Sequence, residues 1–188
     1  MADFYYDLMS PYAWLSAERL ASGGVRLEAR WQPILLGAVF KATGRSSWAS
    51  TELRADGIAE IERRAAAYGL PAPRWRDDWP GNSLAAMRAA TYAEAEGFGR
   101  EFALAAFRLA FAEGRDLSDA ETVLAAAATC DREADVRDAI GRQEVKDALR
   151  ENTDAAIARG VIGVPAFAVG DELLWGDDRL EEAAGYSP

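Results

Sequence analysis

At 188 residues, half of them apolar, the chain is long enough for one domain with a sizeable core, or one compact domain carrying an insertion, and disorder is not expected. Its 21 basic and 31 acidic residues leave a formal charge of −10, which repels phosphate backbones and anionic bilayers and points to small-molecule ligands instead. No apolar run approaches membrane length and Asp3 and Asp7 interrupt the first apolar stretch, so a cytoplasmic protein without a leader is the expectation.

The opening "DFYYDL" reads as a buried strand. Ser10 and Pro11 follow as an N-cap hydroxyl and a first-turn proline, which predicts a helix from Pro11 to about Ala21. Ser22-Gly23-Gly24 stops it, and "VRLEARW" then alternates Val25, Leu27, Ala29 and Trp31 against charged residues, the period of a second strand. From about Leu36 to Arg142 helix-period segments succeed one another, separated by "YGLPAP", "DDWPGN", "EGFG" and "EGRDLSDAE". Ser118 and Glu121 are spaced as a capping box, and Asn82-Ser83 is placed to cap the helix carrying Leu84, Met87 and Tyr92. No internal repeat is present. The helix "QEVKDALRENTDAAIARG" ends at Gly160, two short apolar runs then flank Gly170-Asp171 as a hairpin does, and a last helix is predicted from Asp177 or Asp178. This order spells an α/β protein, a thioredoxin-like fold with an inserted all-α helical domain. Residues 1–36 and 143–188 are assigned to the thioredoxin-like part, and residues 37–142 to the insertion.

Histidine is absent and Cys130 is the only cysteine. The commonest general base, the Ser/His and Cys/His pairs and the usual metal ligand are therefore missing. A lone thiol forms no internal disulfide, no two-thiol redox centre and no thiolate zinc cluster. Cys130, at the end of "VLAAAATC", reads as a small buried hydrophobe, and no metal site is expected. Any chemistry has to come from hydroxyls, carboxylates, lysine or a borrowed group.

In open α/β layers ligands collect at the carboxyl ends of strands, against helix N-termini. Ser10 occupies such an end, and Val164-Pro165 immediately precedes the hairpin, where a cis peptide is expected to leave the Val164 backbone available to an extended ligand. Redox members of thioredoxin-like folds carry C-x-x-C beside this proline loop; here the four residues are Ser10-Pro11-Tyr12-Ala13. Without sulfur, dithiol exchange is impossible, yet the helix N-terminus still lowers the pKa of an incoming thiol and a serine hydroxyl still donates to its thiolate. The alternative is that Ser10 is an ordinary N-cap.

The blocks "FYYDLMSPYAWLSAERL", "PILLGAVFKATG", "GNSLAAMRAA" and "GVIGVPAFAVGDELLWGDDRLEE" together resemble the 2-hydroxychromene-2-carboxylate isomerase family, glutathione-dependent relatives of kappa-class glutathione transferases and DsbA-type oxidoreductases. The resemblance covers nearly the whole chain. It implies that Ser10 contacts the glutathione thiolate, that Val164, beside Pro165, pairs with the glutathione backbone, and that Trp175, Gly176, Asp177 and Asp178 form a second glutathione-binding stretch. Asp177 and Asp178 would receive the γ-glutamyl ammonium, with helix capping as the alternative. Lys41 and Asn82 are implied as substrate contacts; a solvated lysine and a helix cap are the plain readings of these two. The chain departs from the family pattern at "RSSWASTELR", where Arg45 replaces the usual asparagine and residues 45–54 cannot be assigned. Trp48, Trp75 and Trp79 either line an aromatic pocket or pack the insertion on the core.

The implied activity is cis/trans isomerisation of a cyclic aromatic hemiketal acid to its trans-benzylidenepyruvate through a bound glutathione thiolate. Ser10 then serves as a hydrogen-bond donor to sulfur, glutathione is the regenerated cosubstrate, and no metal or redox cofactor is required. Expected partners are glutathione, a small aromatic carboxylate and, as in family members generally, a second copy of the chain; nucleic acid and membrane are not expected. A kappa-type glutathione transferase or peroxidase shares the thiolate site, and a non-catalytic ligand-binding homologue shares the fold and pocket. A dithiol oxidoreductase is disfavoured by the single thiol.

Overall fold

The computed structural model describes residues 1–186; residues 187–188, which close the predicted thioredoxin-like part, lie outside the described residues. At its centre is β1 (Ala2–Tyr6), every residue of which is buried, as expected of an apolar strand covered on both faces. Strand β1 pairs in parallel with β2 (Ala29–Pro33) and antiparallel with β3 (Ala166–Val169), which turns back through Gly170-Asp171 into β4 (Glu172–Trp175). The sheet order is β2-β1-β3-β4, and Pro33, which has no N–H to donate, lies on the edge strand.

The second strand begins at Ala29, four residues later than its alternation predicts. Ala2 pairs with Ala29, so residues 25–28 have almost no β1 left to bond with, and only the Ala2 N–H reaching the Glu28 carbonyl extends the contact. Val25 and Leu27 still lean on the core without a ladder.

Between residues 36 and 142 the chain is helical without a strand, as predicted. After α1 (Pro11–Ala21) come α2 (Leu36–Thr43), α3 (Arg54–Ala67), α4 (Leu84–Ala95), α5 (Gly99–Phe107), α6 (Ala120–Ala128) and α7 (Glu133–Ala139). Helix α8 (Gln143–Ala158) returns the chain to the sheet, and a 3₁₀ turn at Asp177–Arg179 leads into α9 (Leu180–Gly185). The cap of α6 is Asp119, whose carboxylate accepts from the Glu121 N–H, and not Ser118. Ser118 is held in the preceding turn by its own N–H bond of 2.8 Å to Asp116. Ser83 holds the N-cap position of α4 without a side-chain capping bond, and Asn82, one residue before it, accepts from the Leu84 N–H at 2.9 Å.

One face of β1 presents Phe4 and Tyr6 and the other Tyr5, following the strand period of two. Phe4 stacks on Phe167 at 5.4 Å and meets Trp31 edge-on at 5.0 Å, while Tyr6 reaches Phe107 of α5 at 5.9 Å. Met87, Phe102, Phe107 and Phe111 thus share one continuous core with the sheet, and the alanines of α4, α5 and α6 let these helices approach closely. The helical segment has no core separate from this one. Cys130, expected to be buried, is half-buried at the margin of that core.

Candidate functional site

A cleft of about 890 Å³ opens at the carboxyl end of β1, toward the upper end of the roughly 300–1,000 Å³ typical of small-molecule sites. Its walls include the first residues of α1, α2 and α4, so three helix N-termini, each with a partial positive charge, converge on one space, although Ser10, Asp7 and Asn82 each already accept one of their N–H groups. This favours an anionic ligand atom.

Ser10 sits at the α1 end of the cleft, 4% exposed. Its Oγ accepts from the Ala13 N–H at 3.2 Å, the capping role, and donates to the Val164 carbonyl at 3.3 Å across 154 residues of sequence. The Val164–Pro165 peptide is cis, as expected, and so is Trp79–Pro80 on the opposite wall. Among the described residues the Val164 N–H bonds to no acceptor. Pro165 is tied by its carbonyl to the Gly176 N–H at 3.0 Å, which fixes the proline loop to the turn after β4.

The two aspartates of that turn differ. Asp177 is 1% exposed and already committed: Oδ1 lies 2.6 Å from Arg64 Nη1, Oδ2 accepts from the Tyr68 hydroxyl at 3.3 Å, and its carbonyl accepts from Arg19. Burial pushes its carboxyl above the usual aspartate value, with Arg64 pulling the other way. Burial likewise opposes the Arg64 charge, but the bonds to Glu60 and Asp177 more than offset it and hold this guanidinium above its ordinary pKa. Asp178 is exposed on the cleft wall and makes no salt bridge among the described residues. Of the expected ammonium receptors, the structure therefore leaves Asp178 available.

Trp48 and Trp79 line the cleft, with ring centroids 5.4 Å apart, and Trp75 backs Trp79 at 4.9 Å from behind. Both readings of the tryptophan cluster apply: Trp48 and Trp79 face the cleft, and Trp75 packs. Trp175 is half exposed on the rim. The Arg45 guanidinium stands 4.6 Å above its ring, a cation–π contact that joins the segment after α2 to the end of β4. Asn82 is on the wall, whereas Lys41 is exposed on α2 and outside the cleft lining, which takes Phe40 from this helix instead.

Asp7, Tyr12 and Arg64 on the cleft walls escape sequence reading. Asp7, 2% exposed, accepts from the N–H groups of Met9 and Leu36 at 3.0 Å each and from the Ser83 hydroxyl at 3.3 Å, joining the starts of α2 and α4 to the β1–α1 turn. Burial raises its pKa against these three donors. Its sequence signal is a carboxylate closing an otherwise apolar strand. Arg64 offers no such signal, because its partner Asp177 is 113 residues away. No group of three acidic, cysteine or histidine residues able to hold a metal occurs among the described residues, and no described helix is long and apolar enough to cross a membrane.

Residues 1–186 match the DSBA-like thioredoxin domain. The chain is 29% identical over 189 residues to the 2-hydroxychromene-2-carboxylate isomerase of Pseudomonas putida, a match that covers 96% of this chain and 90% of that one. It is 28% identical over 198 residues to the protein of that name from Sphingobium xenophagum, covering 98% and 96%. A solved structure of 2-hydroxychromene-2-carboxylate isomerase superposes with a TM-score of 0.85 at 28% identity, covering 98% of this chain and 94% of that one. Four strands in the order β2-β1-β3-β4, a capped α1 and a cis-proline loop facing its N-terminus agree with those matches. The chain belongs to the DSBA-like thioredoxin domain family.

Proposed function

We propose that this protein is a glutathione-dependent isomerase of the 2-hydroxychromene-2-carboxylate type. The observation that carries the reading is Ser10: a hydroxyl at the α1 N-terminus, 3.3 Å from the cis-proline loop, in a turn where dithiol members of the fold hold sulfur. The near-full-length similarity to isomerases of that name supports the same reaction class.

The residues present fit glutathione. Among the described residues the Val164 N–H has no acceptor and its carbonyl is held by a long serine bond alone, and both suit pairing with an extended peptide. Asp178 suits an ammonium group, and Gly176 and Trp175 border the same stretch. When bound, glutathione would supply a thiolate for reversible addition to the conjugated carbon of the opened substrate. Ser10 would turn its proton from Val164 to the sulfur while its lone pair keeps the Ala13 N–H, so the helix stays capped. The α1 N-terminus favours the charged sulfur, and the cleft walls orient the acid beside it. Asn82, at the start of α4, is positioned for a polar substrate group, whereas Lys41 would have to swing in from the exposed side of α2.

Titrating the thiolate absorbance of glutathione on the protein tests this. The thiol pKa should fall on binding, and Ser10→Ala should raise it again by about one to two units, the equivalent of ~1.5–3 kcal/mol for a hydrogen bond to a charged acceptor. An unperturbed thiol would sink the proposal. Product analysis separates isomerase from transferase, since isomerisation leaves total glutathione unchanged.

A further inference from the structure

From residues 45–54 the cleft lining takes Ser47 and Trp48, and the helix that follows has room for the indole. Trp48 opens a short 3₁₀ turn, Trp48–Ser50, and its half-buried indole lies in a notch of α3 at Gly57. A Cβ at residue 57 would stand 2.3 Å from Cε3 and 2.4 Å from Cζ3 of this ring, so the indole fills the space that any other residue would occupy. A rigid bicycle cannot yield there as a flexible side-chain tip would. From this seat Trp48 meets Trp79 at 5.4 Å and, edge-on at 6.4 Å, Tyr12, two residues beyond Ser10. Trp79 is held in turn: Arg54 donates to its carbonyl and to those of Ala49 and Arg76, and Trp75 packs behind its ring.

The result is an aromatic corner beside the serine, fixed from behind by a glycine notch and an arginine clamp. We propose that Trp48, seated on Gly57, is a specificity-determining residue of the cleft, the side chain through which it distinguishes the fused two-ring acid implied by the isomerase reading from a one-ring acid. The inference rests on the isomerase reading for the reaction concerned, but ring recognition itself is measurable without turnover. Aromatic faces add to area burial when held at ring-to-ring distances of this kind, and a one-ring acid cannot cover the Trp48–Trp79 corner as a two-ring acid does.

The full-length protein is titrated with 1-hydroxy-2-naphthoate and with salicylate, two carboxylates that differ by one fused ring. The wild type should prefer the naphthoate, and Trp48→Ala should weaken naphthoate binding ~10-fold while changing salicylate roughly twofold or less, which collapses the preference. Gly57→Ala, which drives the indole out of its notch, should also weaken the naphthoate, and Trp48→Phe should restore part of the preference. Thermal unfolding of each variant identifies any that fail to fold, and the three substitutions provide independent routes to the same answer. Naphthoate-to-salicylate ratios unchanged in Trp48→Ala and Gly57→Ala, or no naphthoate preference in the wild type, would overturn the proposal. Glutathione affinity, measured alongside, should be unaffected by all three. Its absence in the wild type would remove the isomerase reading while the ratio still decides the role of Trp48.

Discussion

Replacing Arg64 with methionine removes the only cation that, among the described residues, bonds to the Asp177 carboxylate, while keeping an apolar stem against Tyr12. Asp177 would retain a single long bond, from Tyr68 at 3.3 Å, in a position 1% exposed; Arg19 touches its carbonyl and not its carboxylate. Breaking a fully buried pair costs about 3–5 kcal/mol, and because the Arg64 side chain is 24% exposed, about 2–4 kcal/mol is expected at neutral pH. The loss should depend on pH with a definite sign. Burial already raises the Asp177 pKa and Arg64 counters it, so the variant's folded pKa lies higher still. A group whose folded pKa is raised contributes fully below its unfolded value, about 3.9, and loses that contribution as pH rises through the folded pKa. The deficit of Arg64→Met should therefore be small near pH 4 and grow toward neutrality. Urea unfolding at several pH values measures it, and adding Asp177→Asn should recover most of the loss. A deficit below about 1 kcal/mol at neutral pH, or one that neither grows with pH nor recovers in the double variant, would refute the argument.

Ser10→Ala, besides its effect on a bound thiol, should lower stability by about 1 kcal/mol through loss of the α1 cap, read by urea unfolding without ligand. Gly176→Ala should loosen glutathione binding and lower the melting temperature. Gly176 has φ of +116°, and an added Cβ would lie 2.4 Å from Asp178 Oδ1, displacing the free carboxylate of that turn. Phe107→Ala should cost about 3–5 kcal/mol and shift one unfolding transition as a whole, since this ring joins α5 to the sheet; a biphasic curve would mean that the helical segment unfolds by itself. Asp7→Asn should be destabilising near pH 4 by about 1–3 kcal/mol through mismatched hydrogen bonds. Because the Asp7 pKa is raised by burial, the wild type loses stability as pH rises through it, so that deficit should narrow toward neutral pH in the same unfolding assay.

Much of the fold was legible because its signals are local. The apolar run of β1, the Ser10-Pro11 start of α1, the Gly170-Asp171 hairpin and the long helical stretch each depend on residues a few positions apart. The misplaced features are those where a local pattern met a distant partner or a nearer competitor. The β2 alternation outran the β1 strand available to pair with it, and Asp119 outcompeted Ser118 for the start of α6. In the site, Ser10 and the Val164–Pro165 loop were recognisable separately, and Asn82 reached the wall. Asp177, expected to receive a ligand ammonium, is paired with Arg64, and Lys41 is exposed outside the lining to which α2 contributes Phe40.

By itself the sequence determined the element order, the sulfur-free turn and the absence of histidine, and with them that any chemistry has to come from hydroxyls, carboxylates, lysine or a borrowed group, because capping, periodicity and residue chemistry act over a few bonds. Only the tertiary structure decided which charges are spent and which are free. The pairing of Asp177 with Arg64, the seat of Trp48 on Gly57 and the approach of Ser10 to Val164 depend on how helices and sheet pack over a shared core, and on contacts between residues up to 154 positions apart. Desolvation is a property of that packing, and it separates two adjacent aspartates into a buried strut, Asp177, and a solvent-exposed carboxylate, Asp178.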